Sequence, residues 1–256
     1  MTFFYAIILG IVEGVSEFLP ISSTGHMILT SDLLKIPSSD FLSSFEICIQ
    51  LGAILAVVIL YAKKVLTNLK LFGTIVIGFI PTAILGVLLY KTIKNIFMGN
   101  SMIVVWSLLI GGIILIIFEL LHKEKPNAIQ EVEMIKPKQA FVVGLFQCLS
   151  MIPGVSRSAA TIIGGLSLGL SRKAIVEFSF LLAIPTMCAA TGYDLLKTGI
   201  NFSHNEWGML AAGFAVSFVV ALACVKWLIK FVQKHTFIPF GIYRIAVAII
   251  FWLVIL

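Results

Sequence analysis

Glu13 and Glu17 stand four residues apart in an apolar stretch, so on a helix their carboxylates share one face. At the centre of a bilayer a carboxylate costs about 2.5–3.5 kcal/mol even on insertion scales. Two like charges on one face cost more unless a cation or a shared proton offsets them. The pair therefore reads as a divalent-cation site or an acid/base pair. The plainer alternative is a structural hydrogen bond. Much later in the chain, Arg157 lies within Ser156-Arg157-Ser158, again in apolar sequence. Its planar fork suits phosphate better than an ammonium does. The tripeptide sits where a helix should begin, and helix N-termini favour anions. Thr161 can aim its hydroxyl at the same place. The alternative is Arg157 locked to Glu13 or Glu17 as a buried ion pair. Either arrangement brings the two segments together.

Ser22, Ser23, Thr24 and His26 supply further polar groups. Ser23 and His26 are three apart and share a helix face, the minimum for a hydroxyl nucleophile with an imidazole base. Glu46 and Glu177 follow the two polar segments at matching positions, and each reads either as support for the site, by orienting the opposite segment, or as a direct participant in it. Gln147 is the neutral counterpart of Glu13. Carboxylates that hold a cation, an arginine and helix N-terminal amides together describe a phosphate site, and phosphoryl transfer is the natural chemistry. A site buried in apolar sequence suggests a substrate whose tail stays in lipid.

The elements that must position these residues are membrane elements. Hydrophobic residues make up 60% of the 256 positions and charged residues only 12%, with mean hydropathy +1.10. A soluble domain carries about 25% charged residues. The expected fold is an all-α integral membrane protein with spans near 43–62, 71–90, 101–121, 174–195, 207–229 and 239–256. Two more apolar stretches, Phe3 to about Leu34 and about Gln139 to Leu170, are interrupted by Pro20-Ile21-Ser22-Ser23-Thr24-Gly25-His26 and Pro153-Gly154-Val155-Ser156-Arg157-Ser158. Each half is too short to span alone, so each stretch reads as a re-entrant helix-loop-helix hairpin. No signal-peptide flank precedes Phe3, so the first segment is expected to stay in the mature protein. Cys48, Cys148, Cys188 and Cys224 lie in apolar segments without ligand spacing and read as packing residues. The net charge of +6 speaks to membrane orientation, and no nucleic-acid role is expected.

The chain divides into a first repeat (1–121), a solvated polar linker (122–138) and a second repeat (139–256). Gly10-Ile-Val-Glu13 aligns with Gly144-Leu-Phe-Gln147, and Pro20-x-x-Ser23 with Pro153-x-x-Ser156, at the cost of a one-residue gap. A hairpin that returns to its own side plus three spans inverts the second repeat relative to the first. Four basic residues (Lys35, Lys91, Lys94, Lys197) then fall on one side. Twelve fall on the other (Lys63, Lys64, Lys70, Lys123, Lys125, Lys136, Lys138, Arg172, Lys173, Lys226, Lys230, Lys234), with Arg157 and Arg244 set aside as intramembrane or boundary residues. The richer side should be cytoplasmic, which puts both termini and the mouth of the first hairpin outside. Gly111-Gly112 and Gly164-Gly165 are expected at close helix contacts.

Two long motifs carry a family resemblance: Glu13-Gly-Val-Ser-Glu17-Phe-Leu-Pro20-Ile-Ser-Ser23-Thr-Gly-His26 and Pro153-Gly-Val-Ser156-Arg157-Ser158-Ala-Ala-Thr161. With them the chain resembles, over almost its whole length, the bacterial undecaprenyl-pyrophosphate phosphatases of the bacitracin-resistance type. The resemblance implies hydrolysis of undecaprenyl diphosphate to the monophosphate and phosphate at the outer face of the cytoplasmic membrane. That reaction recycles the lipid carrier of peptidoglycan synthesis. It also implies a divalent cation (Mg or Ca), a polyprenyl diphosphate and membrane lipids as partners, and often a homodimer. Carried over by position, Glu13 and Glu17 serve the cation and acid/base work, and Ser23 and His26 the nucleophilic and proton-transfer roles. Ser156, Arg157 and Thr161 bind the diphosphate, with Ser22, Thr24 and Ser158 beside them. The rival class is a secondary transporter or lipid flippase, since inverted repeats with broken helices are typical of alternating access.

Overall fold

The computed structural model describes residues 1–92, 101–198 and 202–255. Lys94 and Leu256, which the readings above use, lie outside the described residues. Ten α-helices are described: α1 (Phe3–Ser16), α2 (Ser23–Leu33), α3 (Asp40–Leu66), α4 (Leu69–Thr92), α5 (Ser101–Leu121), α6 (Pro137–Gln147), α7 (Arg157–Ser167), α8 (Arg172–Thr198), α9 (His204–Val232) and α10 (Ile238–Ile255). No strand occurs among the described residues, only an isolated bridge between Ile129 and Leu170. Five helices are long and apolar enough to cross a membrane: α3, α4, α5, α8 and α9. The sixth expected span is α10, whose apolar stretch Ile238–Leu253 is shorter. Large apolar side chains such as Ile59, Leu88, Ile117 and Leu253 point outward, while Phe18, Phe45, Phe178 and Phe180 are fully enclosed. That distribution fits lipid outside and a packed protein interior.

Each expected break is a break in the structure, between α1 and α2 and between α6 and α7. Ser22 caps α2 by accepting from Gly25 N (3.3 Å), and Ser156 caps α7 by accepting from Ala159 N (3.2 Å). Both caps sit at positive φ (73° and 75°), an unusual region for a residue with a Cβ. The helix ends match as well. Lys35 (φ 51°) and Gly169 (φ 79°) follow α2 and α7, and Ile36 N and Leu170 N close back on Ser31 O and Gly165 O. These are paired Schellman ends. The separation that relates Ser22 to Ser156 also relates Lys35 to Gly169 and Glu13 to Gln147. The one-residue gap is therefore a misalignment: the structural counterpart of Ser156 is Ser22, not Ser23. The prolines mislead because Pro153 stands one position early, and the bend that follows it uses Gly154 at φ 91°.

Two further expectations are corrected. Counted from their N-cap serines, Ser39 and Ser171, Glu46 is seven residues in and Glu177 six. One residue turns a helix by about 100°, so the two glutamates face different neighbours. The 122–138 segment is not a freely solvated linker. Val132 and Ile135 are buried, Ile129 exchanges backbone hydrogen bonds with Gly169 and Ser171, and Glu133 and Glu131 pair with Lys64 (3.0 Å) and Lys173 (3.2 Å).

Contacts between the two halves dominate the packing. α1 lies along α9, α6 along α4, α3 against α8, and α5 against α10. Glycines permit the closest of these approaches. A Cβ on Gly10 would stand 2.7 Å from Gly213 O, and one on Gly112 2.8 Å from Gly241 O. Arg244, midway along α10, is fully buried. Its guanidinium donates to Ser107 O (2.9 Å) and Leu108 O (3.4 Å) of α5, to Pro20 O (3.3 Å) in the first break, and to Gly154 O (2.9 Å) and Val155 O (3.0 Å) in the second. Gly111 leaves the room for it: any side chain there would collide with the guanidinium.

Two outcomes follow from these contacts. Arg244→Met strands several buried carbonyls, each costing about 1–3 kcal/mol. A thermal-shift measurement in detergent should show melting lowered by about 10 °C, at roughly 2–4 °C per kcal/mol; an unchanged transition contradicts the role given to Arg244. Burial alone would raise the Glu133 carboxyl, but its own backbone N–H and the Lys64 ammonium outweigh that and hold it below the usual carboxylate range. The contribution of Glu133 to docking is then full above the ordinary pKa of about 4.3 and is lost as pH falls through the depressed value. Limited proteolysis of the 122–138 segment should be flat from about pH 7 to 5 and rise below about pH 4, and Glu133→Gln should raise cleavage at neutral pH. Equal cleavage at neutral pH and below about pH 4, with no rise in the variant, contradicts the docking.

Candidate functional site

The site assembles where the two breaks touch. Glu17 stands one residue past the end of α1, and Arg157 is the first residue of α7; both are buried. Arg157 Nη2 donates to Glu17 Oε1 (3.1 Å) and approaches Glu17 O (3.4 Å). The other carboxylate oxygen, Glu17 Oε2, accepts from Ser23 Oγ. Hydroxyl, carboxylate and guanidinium thus form one chain of contacts that crosses from the first break to the second. Ser158 Oγ ties the same junction by donating to Phe18 O (2.9 Å), and the Arg157 guanidinium lies over the Phe18 ring, 5.9 Å from its centroid.

Glu13 is one helical turn before Glu17, fully enclosed in α1. Neither of its carboxylate oxygens meets a hydrogen-bond donor, and the Glu17 carboxyl stands close enough to share a proton with it. A buried carboxylate with no donor, beside a second carboxylate, calls for a proton or a cation. Among the described residues no cluster of three or more His, Cys, Asp or Glu side chains could hold a metal on its own. Magnesium and similar hard cations often use one or two carboxylates and complete their shell with substrate phosphate and water. Glu13 and Glu17 fit that pattern.

The expected partnership of Ser23 with His26 is not what the structure contains. Ser23 is bonded to Glu17, while His26 Nδ1 lies 2.8 Å from Ser22 O and His26 Nε2 lies 2.9 Å from Tyr243 Oη. The reason lies in the helix start. Ser23 is the first residue of α2, and its hydroxyl turns back across the break toward α1. His26 lies one turn on and bonds the carbonyl of the cap residue.

The remaining expected residues divide. Ser22 and Ser156 use their hydroxyls as helix caps. Thr24 is exposed on the first turn of α2. Thr161 Oγ1 is enclosed, 2.7 Å from Ser179 Oγ and 3.0 Å from the carbonyls of Arg157 and Ser158, so its hydroxyl supports α7 and α8 rather than opening toward a ligand. Glu46 Oε1 accepts from Ser31 Oγ (3.1 Å). Gln147 donates from Nε2 to Thr82 (2.8 Å) and Thr186 (3.1 Å), each of which follows a proline inside a helix. Glu177 does not join this site: its carboxylate pairs with Lys64 (3.1 Å), which also binds Glu133.

Three residues escaped the sequence reading. Ser179, on α8, receives Arg157 Nη1 at both its carbonyl (2.7 Å) and its hydroxyl (3.0 Å), which fixes the guanidinium plane. A hydroxyl between two phenylalanines in an apolar helix was the available signal. Tyr243 and Arg244 are adjacent on α10, where an arginine and a tyrosine interrupt the last apolar run. Arg244 was set aside as a boundary residue, yet its mid-helix position marked it as costly and therefore engaged.

Comparison with known proteins places the chain in a family. The family model described as bacitracin resistance protein BacA matches residues 6–250. A protein of Sulfurihydrogenibium sp. (strain YO3AOP1) is 54% identical, with 99% of each chain covered. One of Aquifex aeolicus is 52% identical with 98% of each covered, and one of Wolinella succinogenes is 51% identical with 98% of this chain and 97% of its own covered. All three relatives are named undecaprenyl-diphosphatase. With a match across nearly its whole length, this chain belongs to the bacitracin resistance protein BacA family.

Proposed function

We propose that the chain is an undecaprenyl-diphosphate phosphatase, which hydrolyses the lipid carrier's diphosphate to undecaprenyl phosphate and phosphate and thereby confers bacitracin resistance. The observation that carries this reading is the Ser23–Glu17–Arg157 chain of contacts, with an unpartnered Glu13 beside it. It joins a nucleophile, a base and a phosphate-binding cation from two separate breaks. The names of the relatives supply the substrate class.

Each side chain then has a defined task. Arg157, held in plane by Ser179, exchanges Glu17 for the terminal phosphate; its Nε has no partner and remains free to donate. Glu17 takes the proton of Ser23 Oγ as that oxygen attacks the terminal phosphorus. The bond from phosphorus to the bridging oxygen breaks, and the lipid monophosphate departs. Water then attacks the phosphoserine and gives one proton to His26. The bond from phosphorus to Ser23 Oγ breaks, phosphate is released, Ser23 Oγ recovers its proton from Glu17, and His26 passes its proton to solvent. Direct attack by water is the competing path. A divalent cation (Mg or Ca) held by Glu13 and Glu17 would neutralise charge on the phosphate oxygens. The N–H groups that open α7 add to that neutralisation.

The same reading extends to topology. The two broken helix pairs are re-entrant hairpins of an inverted repeat, 1–121 and 139–256, joined by the 122–138 segment in the cytoplasm. Both termini and the active-site mouth face outside the cytoplasmic membrane. The matched caps of α2 and α7, the pairing of helices between halves and the four-to-twelve distribution of basic residues support it.

Phosphate release from the detergent-solubilised protein, given a polyprenyl diphosphate and Mg or Ca, is the direct test. Chelation should stop release. Arg157→Ala and Glu17→Gln should each lower kcat by at least about 100-fold. No release from the wild type, or full activity in both variants, overturns the reading and leaves transport as the better account. Labelled phosphate should be trapped on Ser23 in a quenched reaction, and full turnover by Ser23→Ala would exclude the covalent path in favour of water attack.

A further inference from the structure

His26 is assigned to proton transfer by sequence, and the structure gives it two partners. Its Nδ1 lies 2.8 Å from Ser22 O. A carbonyl only accepts, so Nδ1 carries the hydrogen. In the neutral ring Nε2 is then the acceptor, and the group 2.9 Å from it is the Tyr243 hydroxyl, which must donate. The tyrosine and histidine rings stack nearly parallel, 8° apart with centroids 5.4 Å apart. Two hydrogen bonds and one ring face therefore fix the position, the tilt and the tautomer of the imidazole.

The anchoring of Tyr243 is equally specific. The next residue on α10 is Arg244, whose guanidinium bonds carbonyls of both breaks and of α5. α10 cannot slide along the site without breaking those contacts, so its tyrosine is registered against the first break. The residue is only partly enclosed: Tyr243 is 44% exposed. It is neither a buried core phenol nor a free surface one.

We infer that Tyr243 is a positioning residue for the proposed phosphatase reaction, holding His26 in the Nδ1–H tautomer with Nε2 ready to take a proton. The inference rests on the phosphatase reading and on His26 acting in it. For Nε2 to accept a proton from water the phenol first turns its hydrogen away and frees the one Nε2 lone pair; its oxygen then accepts the new N–H bond. No proton is lost or gained by the tyrosine itself.

Tyr243→Phe is the matching test, because it removes one hydroxyl and keeps the stacking ring. Loss of a group that orients a working side chain typically costs 10–100-fold. Steady-state hydrolysis should show kcat lower by at least about tenfold, KM nearly unchanged and the melting temperature in detergent unchanged. His26→Ala should be impaired more deeply, and the double variant should be no worse than His26→Ala alone. Wild-type kcat in Tyr243→Phe, with His26→Ala impaired, overturns the tyrosine's role and leaves the phosphatase reading standing. An equal further loss from Tyr243→Phe on the His26→Ala background would also overturn it, since the tyrosine would then act independently. Wild-type activity in His26→Ala overturns this inference together with the role of the histidine. An inactive wild-type protein overturns the phosphatase reading itself.

Discussion

A helix that stops inside an apolar shell frees carbonyl and N–H groups that lipid cannot satisfy. Everything distinctive in this protein answers that constraint, and Arg244 answers most of it. One guanidinium bonds carbonyls of both breaks and of α5 without any carboxylate partner. Its hydrogen-bond geometry suits this better than a lysine ammonium, which has fewer donors and no fixed plane. The freed N–H groups are answered by the serine caps, and the strained φ of both caps is tolerated because each hydroxyl closes the first turn of a helix. With these bonds, carbonyls of Phe18 and Pro20 in the first break and of Gly154 and Val155 in the second all have donors.

That satisfaction lets chemistry sit at depth. The second layer of contacts uses side chains rather than backbone: Ser158 to Phe18 O, Arg157 to Glu17, and Ser179 behind the guanidinium. Arg157 is therefore held from two sides, by an acid from the first break and by α8. Lys64 pairs both with Glu133 of the 122–138 segment and with Glu177, two residues before Ser179, so this polar strap is linked to the helix that supports the site. Their contacts are otherwise distinct, which is why Glu177 belongs with the strap.

Much of this was legible in the chain. The cost of carboxylates and an arginine in apolar sequence singled out Glu13, Glu17 and Arg157, and proline with hydroxyls marked both breaks. Helix existence followed from hydropathy because the spans are long and apolar. Other features were not legible for definite physical reasons. Cap identity depends on φ, which residue type alone does not fix, so Ser23 was paired with Ser156 where Ser22 was correct. The rotation of Glu46 against Glu177 depends on a single residue of helix register. A shared helix face suggested Ser23 with His26, but such a face only allows contact. The actual partners, Glu17 and Tyr243, come from sequence-distant elements that periodicity cannot place.

The Glu17–Arg157 pair has one consequence for turnover. Separating two buried, bonded charges without replacement costs several kcal/mol. In the proposed reaction an anion that captures Arg157 would have to displace this resident carboxylate, which would favour a diphosphate over singly charged solutes. Once the product phosphate left, Glu17 would be within reach to reclaim the guanidinium. On that reading the protein carries its own competitor for its binding group, an internal anion that would oppose product inhibition.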